Sequence, residues 1–146
     1  MNQVADVMTR DVRVVSPKDS IQRAAQCMDE LNVGVVPVCD GSKLLGMVTD
    51  RDITVRGVAA GKMADTPVTE VMSEHVRWCY EDQDLDEVMD EMRDAQIRRL
   101  PVINHEKQLV GIVSLGDLAD RGSDDKRVGE TLKDISTPSE PDRGSL

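Results

Sequence analysis

Two short polar pairs stand where this chain could do chemistry. Thr49 is followed three residues later by Asp52, and Ser114 by Asp117, each straight after an apolar run. A hydroxyl and a carboxylate at that spacing form a capping box: the hydroxyl accepts from the third helical amide, and the acid reaches back to the amide of the cap residue. The same groups have a second use. A helix start presents free amides that favour phosphate, and a carboxylate there can accept from both hydroxyls of a ribose. Taken singly, each pair is a helix cap. Its duplication at matching positions strengthens the case for a ligand.

The neighbouring charged residues differ between the copies. Arg98-Arg99 precede Leu100-Pro101, where guanidinium groups can grip phosphate oxygens in pairs or simply line a solvated strand edge. The corresponding positions in the first copy are Gly34 and Val35, so the two sites are chemically unequal. Arg51 lies inside the first motif, as an exposed helix charge or as an aid to anion binding. Trp78 and Tyr80 can stack on a base, but the expectation is that they fill a gap in a core otherwise lacking aromatics. His75, His105, Cys27, Cys39 and Cys79 match no zinc spacing. No Ser-His-Asp or Cys-His set stands out, so neither a metal site nor a catalytic site is expected, and the chain does not read as an enzyme.

These pairs belong to an internal repeat. Val4-Ala5-Asp6-Val7-Met8 returns as Val68-Thr69-Glu70-Val71-Met72, and Val36-Pro37-Val38 as Leu100-Pro101-Val102. Gly46-Met47-Val48-Thr49-Asp50-Arg51-Asp52 returns as Gly111-Ile112-Val113-Ser114-Leu115-Gly116-Asp117. The offset is 64 residues up to the proline and 65 after it, so one residue was inserted in the intervening loop. The chain divides into repeat 1 at 1–61, a link at 62–67, repeat 2 at 68–121 and a polar tail at 122–146.

Each repeat reads in one order. A short apolar run comes first, at 12–15 and 76–80. A helix follows, with apolar Ile21, Ala24, Ala25, Met28 and Leu31, then Leu85, Val88, Met89 and Met92, at spacings of three and four. Ser20 and Asp84 stand at the N-cap, and Asp84 with Glu87 resembles a capping box. Two β-like runs come next, 35–39 with 44–48 and 100–103 with 109–113, each closed into a hairpin by a short polar loop. A second helix starts at Thr49 or Ser114; the first is expected to reach about Ala60 and stop at Gly61. In the tail a short helix over 126–135 is expected, then disorder over 136–146.

Composition narrows the function. With one Trp, one Tyr and no Phe, the core must be built from Val, Leu, Ile and Met. Lys and Arg number 18 against 28 Asp and Glu, a net charge of −10, which argues against general binding of nucleic acid or an anionic membrane. Three cysteines without C-x-x-C spacing read as reduced thiols in the cytoplasm. No signal peptide is seen, and no apolar run approaches the roughly 20 residues needed to span a bilayer.

The order of elements, the Pro-Val strand and the Gly-h-h-Thr/Ser-x-x-Asp close (h, apolar) resemble cystathionine β-synthase (CBS) domains, here in tandem as in a Bateman module. The resemblance covers about Val4 to Asp120. Thr49-Asp50-Arg51-Asp52-Ile53, with Arg56-Gly57 and Ala59-Ala60-Gly61, is similar to small stand-alone bacterial CBS proteins of the hypoxic-response type. It implies an α+β fold of two β-α-β-β-α units about a pseudo-twofold axis, with two adenosine-nucleotide clefts drawing on both repeats. One cleft would take Ser114, Asp117, Arg98 and Arg99, walled by Ser16, Ile21, Val33 and Gly34. The other would take Thr49 and Asp52 with Tyr80, Leu85, Ile97 and Arg98. The family often has Thr or Ser where Tyr80 stands. The implied function is a regulatory sensor of AMP, ADP, ATP, NAD or S-adenosylmethionine in signal transduction. It needs no cofactor beyond that ligand, forms a homodimer and acts on a protein effector in trans. The alternatives are an interaction module with vestigial ligand sites and a metal or thiol sensor.

Overall fold

The computed structural model describes residues 3–121 of the chain, with side chains as far as Leu118. The helix expected over 126–135 and the disorder over 136–146 lie outside the described residues. The described chain forms two compact units. The first runs Arg13–Val76; the second joins the N-terminal stretch, through Val12, to the chain from Arg77 onward. We describe each by itself.

The run expected at 12–15 ends in the first unit, where it makes one parallel bridge, Val15 to Val38, in place of a strand. Helix α2 (Ile21–Leu31) follows; the shorter α1 (Val4–Val7) belongs to the second unit. The Ser20 hydroxyl caps α2 by accepting from the Arg23 amide at 3.0 Å. Its buried face is Ile21, Ala24, Cys27 and Met28. Ala25, expected inside, is exposed, and Leu31 is 39% exposed, because the buried stripe runs i, i+3, i+6, i+7 from Ile21 and takes in Cys27 instead. Strands β1 (Val35–Asp40) and β2 (Lys43–Thr49) form an antiparallel hairpin. Asp50 starts a helical turn that widens into a π-helix over Asp52–Val58. Three β-branched residues in a row, Ile53, Thr54 and Val55, are poor α-helix formers. The helix expected to reach about Ala60 ends at Val58, and Gly61, at φ +79°, closes the turn that follows.

The second unit repeats the plan. Strand β3 (Cys79–Tyr80) pairs in parallel with β4 (Arg99–Ile103), which pairs antiparallel with β5 (Leu109–Ser114). Helix α3 (Leu85–Ala95) buries all four expected residues. Its capping differs from the expected box: Asp84 accepts from the Asp86 amide, and Glu87 accepts from the Gln83 side chain. Helix α4 (Leu115–Arg121) follows β5 directly.

The head segments are distributed unlike the sequence repeats. Helix α1 (Val4–Val7), at the head of repeat 1, places Val4, Val7 and Met8 in the core of the second unit. A 3-10 turn at Val68–Glu70, at the head of repeat 2, places Val68, Val71 and Met72 in the core of the first. Each head crosses a motif glycine. Ser73 bridges Met47 beside Gly46, and Thr9 bridges Ile112 beside Gly111. Both cores are aliphatic, as the composition requires; fully buried Met89, Met92 and Leu100 each contribute roughly 1.5–3 kcal/mol. No helix among the described residues is long and apolar enough to cross a membrane.

Candidate functional site

Both polar pairs form reciprocal boxes. The Thr49 amide donates to Asp52 Oδ2 at 3.0 Å, and the Asp52 amide donates to Thr49 Oγ1 at 3.0 Å. The Ser114 amide donates to Asp117 Oδ2 at 2.9 Å, and the Asp117 amide to Ser114 Oγ at 3.1 Å. The capping expectation is thus met twice. Asp52 Oδ1 lies 3.8 Å from Arg56 Nε.

Strand pairing sets what stands beside each box. Thr49 is opposite Val35, and Ser114 is opposite Arg99. One residue earlier, the Gly34 carbonyl accepts from the Asp50 amide at 3.0 Å, and the Arg98 carbonyl accepts from the Leu115 amide at 3.1 Å. The copies therefore match in backbone geometry while differing in charge. Arg98 and Arg99 are exposed, as is Arg51. Val33 and Ile97, both half-buried, pack against their own units' cores.

The other expected residues lie at the opposite ends of the strands. In the second unit Tyr80 pairs with Ile103, four residues along β4 from Arg99, or about 13 Å away. In the first unit Ser16 follows Val15, which bridges Val38, toward the hairpin end of β1. Each unit alone thus holds half of each expected ligand set. The Ser16 amide donates to Asp19 Oδ2, and the Tyr80 amide to Gln83 Oε1, both at 2.8 Å. Ile21 and Leu85 are each 3% exposed and serve the cores.

The expectation that Trp78 and Tyr80 fill a core gap needs correction. Trp78 is 40% exposed, because alternation along β3 sends Cys79 inward and its neighbours outward. Tyr80 meets Trp78 edge-on at 4.9 Å and stacks on His105 at 4.2 Å. His105 Nε2 lies 2.9 Å from Asp82 Oδ2, and that bond holds the Asp82 carboxyl below its usual range. Arg77, Trp78, Tyr80, Gln83 and Glu91 line an open cleft of about 550 Å³. Sequence reasoning treated His105 as a scattered single residue. Comparing the repeats points to this cluster, since the equivalents of Trp78, Tyr80 and Asp82 are Val14, Ser16 and Lys18, and His105 lies in the loop that carries the inserted residue.

The cysteines offer little chemistry. All three are buried and free. Burial pushes the Cys39 thiol up to about 11; burial and then the Glu91 charge push Cys79 up to about 12. A thiol so disfavoured from ionising is a poor nucleophile or metal ligand. Among the described residues, no three His, Cys, Asp or Glu side chains are grouped to hold a metal ion.

The CBS-domain profile matches residues 4–56 and 68–124, and the chain belongs to this family. It is 43% identical to the CBS domain-containing protein YhcV of Bacillus subtilis over 93% of this chain and 96% of that protein. It is 34% identical to hypoxic response protein 1 of Mycobacterium tuberculosis, over 94% and 96%. Matches of that extent leave these relatives no room for a separate catalytic domain. Among solved structures, Hypoxic Response Protein I with two coordinated zinc ions matches at TM-score 0.75 and 34% identity, over 82% of this chain and 98% of that one. CBSX2 in complex with AMP matches at 0.72 and 26%, over 80% and 93%. The CBS domain pair of protein MJ0100, with 5-methylthioadenosine and S-adenosylmethionine, matches at 0.69 and 27%, over 82% and 94%.

Proposed function

We propose that this chain is a regulatory, non-enzymatic sensor of an adenine nucleotide, acting as a homodimer on a protein effector in trans. The duplicated Thr/Ser-x-x-Asp box carries the reading. Each box sets a hydroxyl and a carboxylate at a helix start, a donor and acceptor set suited to ribose hydroxyls, and two similar CBS pairs hold adenosine compounds. Arg98 and Arg99 supply cations for phosphate beside the second box. Signalling would follow if the ligand binds one conformation of the protein better than another.

A thermal-shift panel of AMP, ADP, ATP, NAD and S-adenosylmethionine tests the reading. Ligand at 100 times its dissociation constant adds about 2.7 kcal/mol of stability. A midpoint unmoved by all five at millimolar concentration removes it.

One observation favours the interaction-module reading instead. Both boxes already satisfy their amides internally, which is all that a cap requires. The zinc held by the hypoxic response protein bears on the metal alternative, but buried thiols with raised pKa values argue against a thiolate site here.

A further inference from the structure

We propose that Asp50 divides the two boxes by ligand charge: the Ser114–Asp117 box takes a nucleoside carrying phosphate, and the Thr49–Asp52 box takes one without it. The inference rests on the sensor reading above and specifies the ligand class of each site.

Hydrogen bonding makes three pairs of positions equivalent: Gly34 with Arg98, Val35 with Arg99, and Asp50 with Leu115. The second unit places two arginines and a buried leucine there; the first places no cation and one exposed carboxylate. Three formal charges therefore separate these three positions in two units of the same backbone geometry.

The Asp50 carboxylate also occupies the space and the donor that an anion needs. Its Oδ1 accepts from the Arg51 amide at 2.8 Å, so that helix-start N–H is already engaged. Its Oδ2 lies over Gly34, 3.1 Å from where a Cβ would stand. That is the position from which Arg98 projects in the other unit. Arg56 does not redress the balance, since it sits against Asp52 and donates to the Met72 carbonyl. Arg51, exposed, is the remaining cation of the motif. A phosphate at this box meets a like charge at short range, where repulsion weakens binding at least about tenfold. An uncharged or cationic group, such as a thioether or sulfonium, meets no such penalty.

Calorimetry of the full chain with adenosine and with AMP tests the proposal. The expected result is two adenosine sites of similar affinity and one strong AMP site, with a second AMP at least about tenfold weaker. Asp50→Asn keeps an oxygen for the Arg51 amide and removes the charge. It should strengthen the second AMP about tenfold and leave adenosine unchanged. Asp50→Ser, which also loses the charge, should do the same, so one poorly folded variant does not decide the matter. Two AMP sites of equal affinity in the unaltered protein overturn the proposal while the sensor reading stands. So does a second AMP site that neither variant strengthens, or one that strengthens equally for adenosine. If neither compound binds at millimolar concentration, both the proposal and the sensor reading fall.

Discussion

Gly46 and Ser73 approach so closely that a Cβ on Gly46 would stand 2.4 Å from the Ser73 carbonyl oxygen. The same crossing occurs in the other unit, where a Cβ on Gly111 would stand 2.7 Å from the Thr9 carbonyl oxygen. The glycine that opens the Gly-h-h-Thr/Ser-x-x-Asp motif is therefore required by packing. It lets a head segment hydrogen-bond alongside the strand that ends at the box.

Gly46→Ala and Gly111→Ala should each destabilise the fold by about 1–3 kcal/mol, because a backbone carbonyl stands in the way in both cases, joined at Gly111 by the Met8 sulfur. At about 2–4 °C per kcal/mol, the loss is readable in a thermal melt. Gly41→Ala should cost less by the steric route, since no atom lies within 4 Å of its added Cβ; what remains is its φ of +61°. Equal losses at positions 41 and 46 would contradict this account.

The buried thiols make stability fall in alkali. Their folded pKa values, about 11 for Cys39 and about 12 for Cys79, lie above the ordinary thiol value of 9.0 because burial disfavours the charged thiolate. The folded state thus holds protons that the unfolded state releases, so stability declines as pH rises above the unfolded pKa. The contribution is fully present below about pH 9 and is lost progressively toward the folded values. Denaturation midpoints from neutral to alkaline pH should show the decline, and Cys39→Ala with Cys79→Ala should flatten it. Thiol reagents should label the native chain slowly at neutral pH; rapid labelling would revive the thiol-sensor alternative.

The homodimer has its own test. Val58 and Met63 are 67% and 73% exposed, large apolar side chains that an interface would cover. Light scattering at tens of micromolar should give about twice the chain's 16.1 kDa. The chain's own mass would contradict the dimer.

The parts legible in the sequence were those with local causes. Period and turn residues located both hairpins, the α3 face and the Ser20 cap, because each depends on a few neighbouring residues. The exchange of head segments has a tertiary cause: Val4-x-x-Val7-Met8 carries the same apolar pattern whichever core it enters. The outward turn of Trp78 followed from β3 pairing on one side and burying Cys79, which composition alone does not reveal. Asp50 escaped notice because its meaning lies in Gly34 beside it. Only the register of β1 against β2 brings the two together.

Variants at the boxes separate cap from ligand site. Asp117 accepts the Ser114 amide, so Asp117→Ala should cost about 0.5–2 kcal/mol of stability as well as nucleotide affinity. Asp117→Asn keeps an oxygen acceptor and should spare most of the stability while still weakening ribose binding. Arg99 is exposed and caps nothing. Arg99→Ala should remove a charge-assisted bond of about 1.5–3 kcal/mol, roughly a 10- to 150-fold loss of affinity for AMP, with the melting point of the free protein unchanged. Asp52→Ala should weaken the stronger AMP site less than Asp117→Ala does, because Val35, not an arginine, stands opposite Thr49. Calorimetry on these variants decides the ranking. Unchanged AMP affinity in Arg99→Ala, or a greater loss in Asp52→Ala than in Asp117→Ala, would reverse the order of the two sites. Lost stability with intact binding in Asp117→Ala would leave the motif as a helix cap alone.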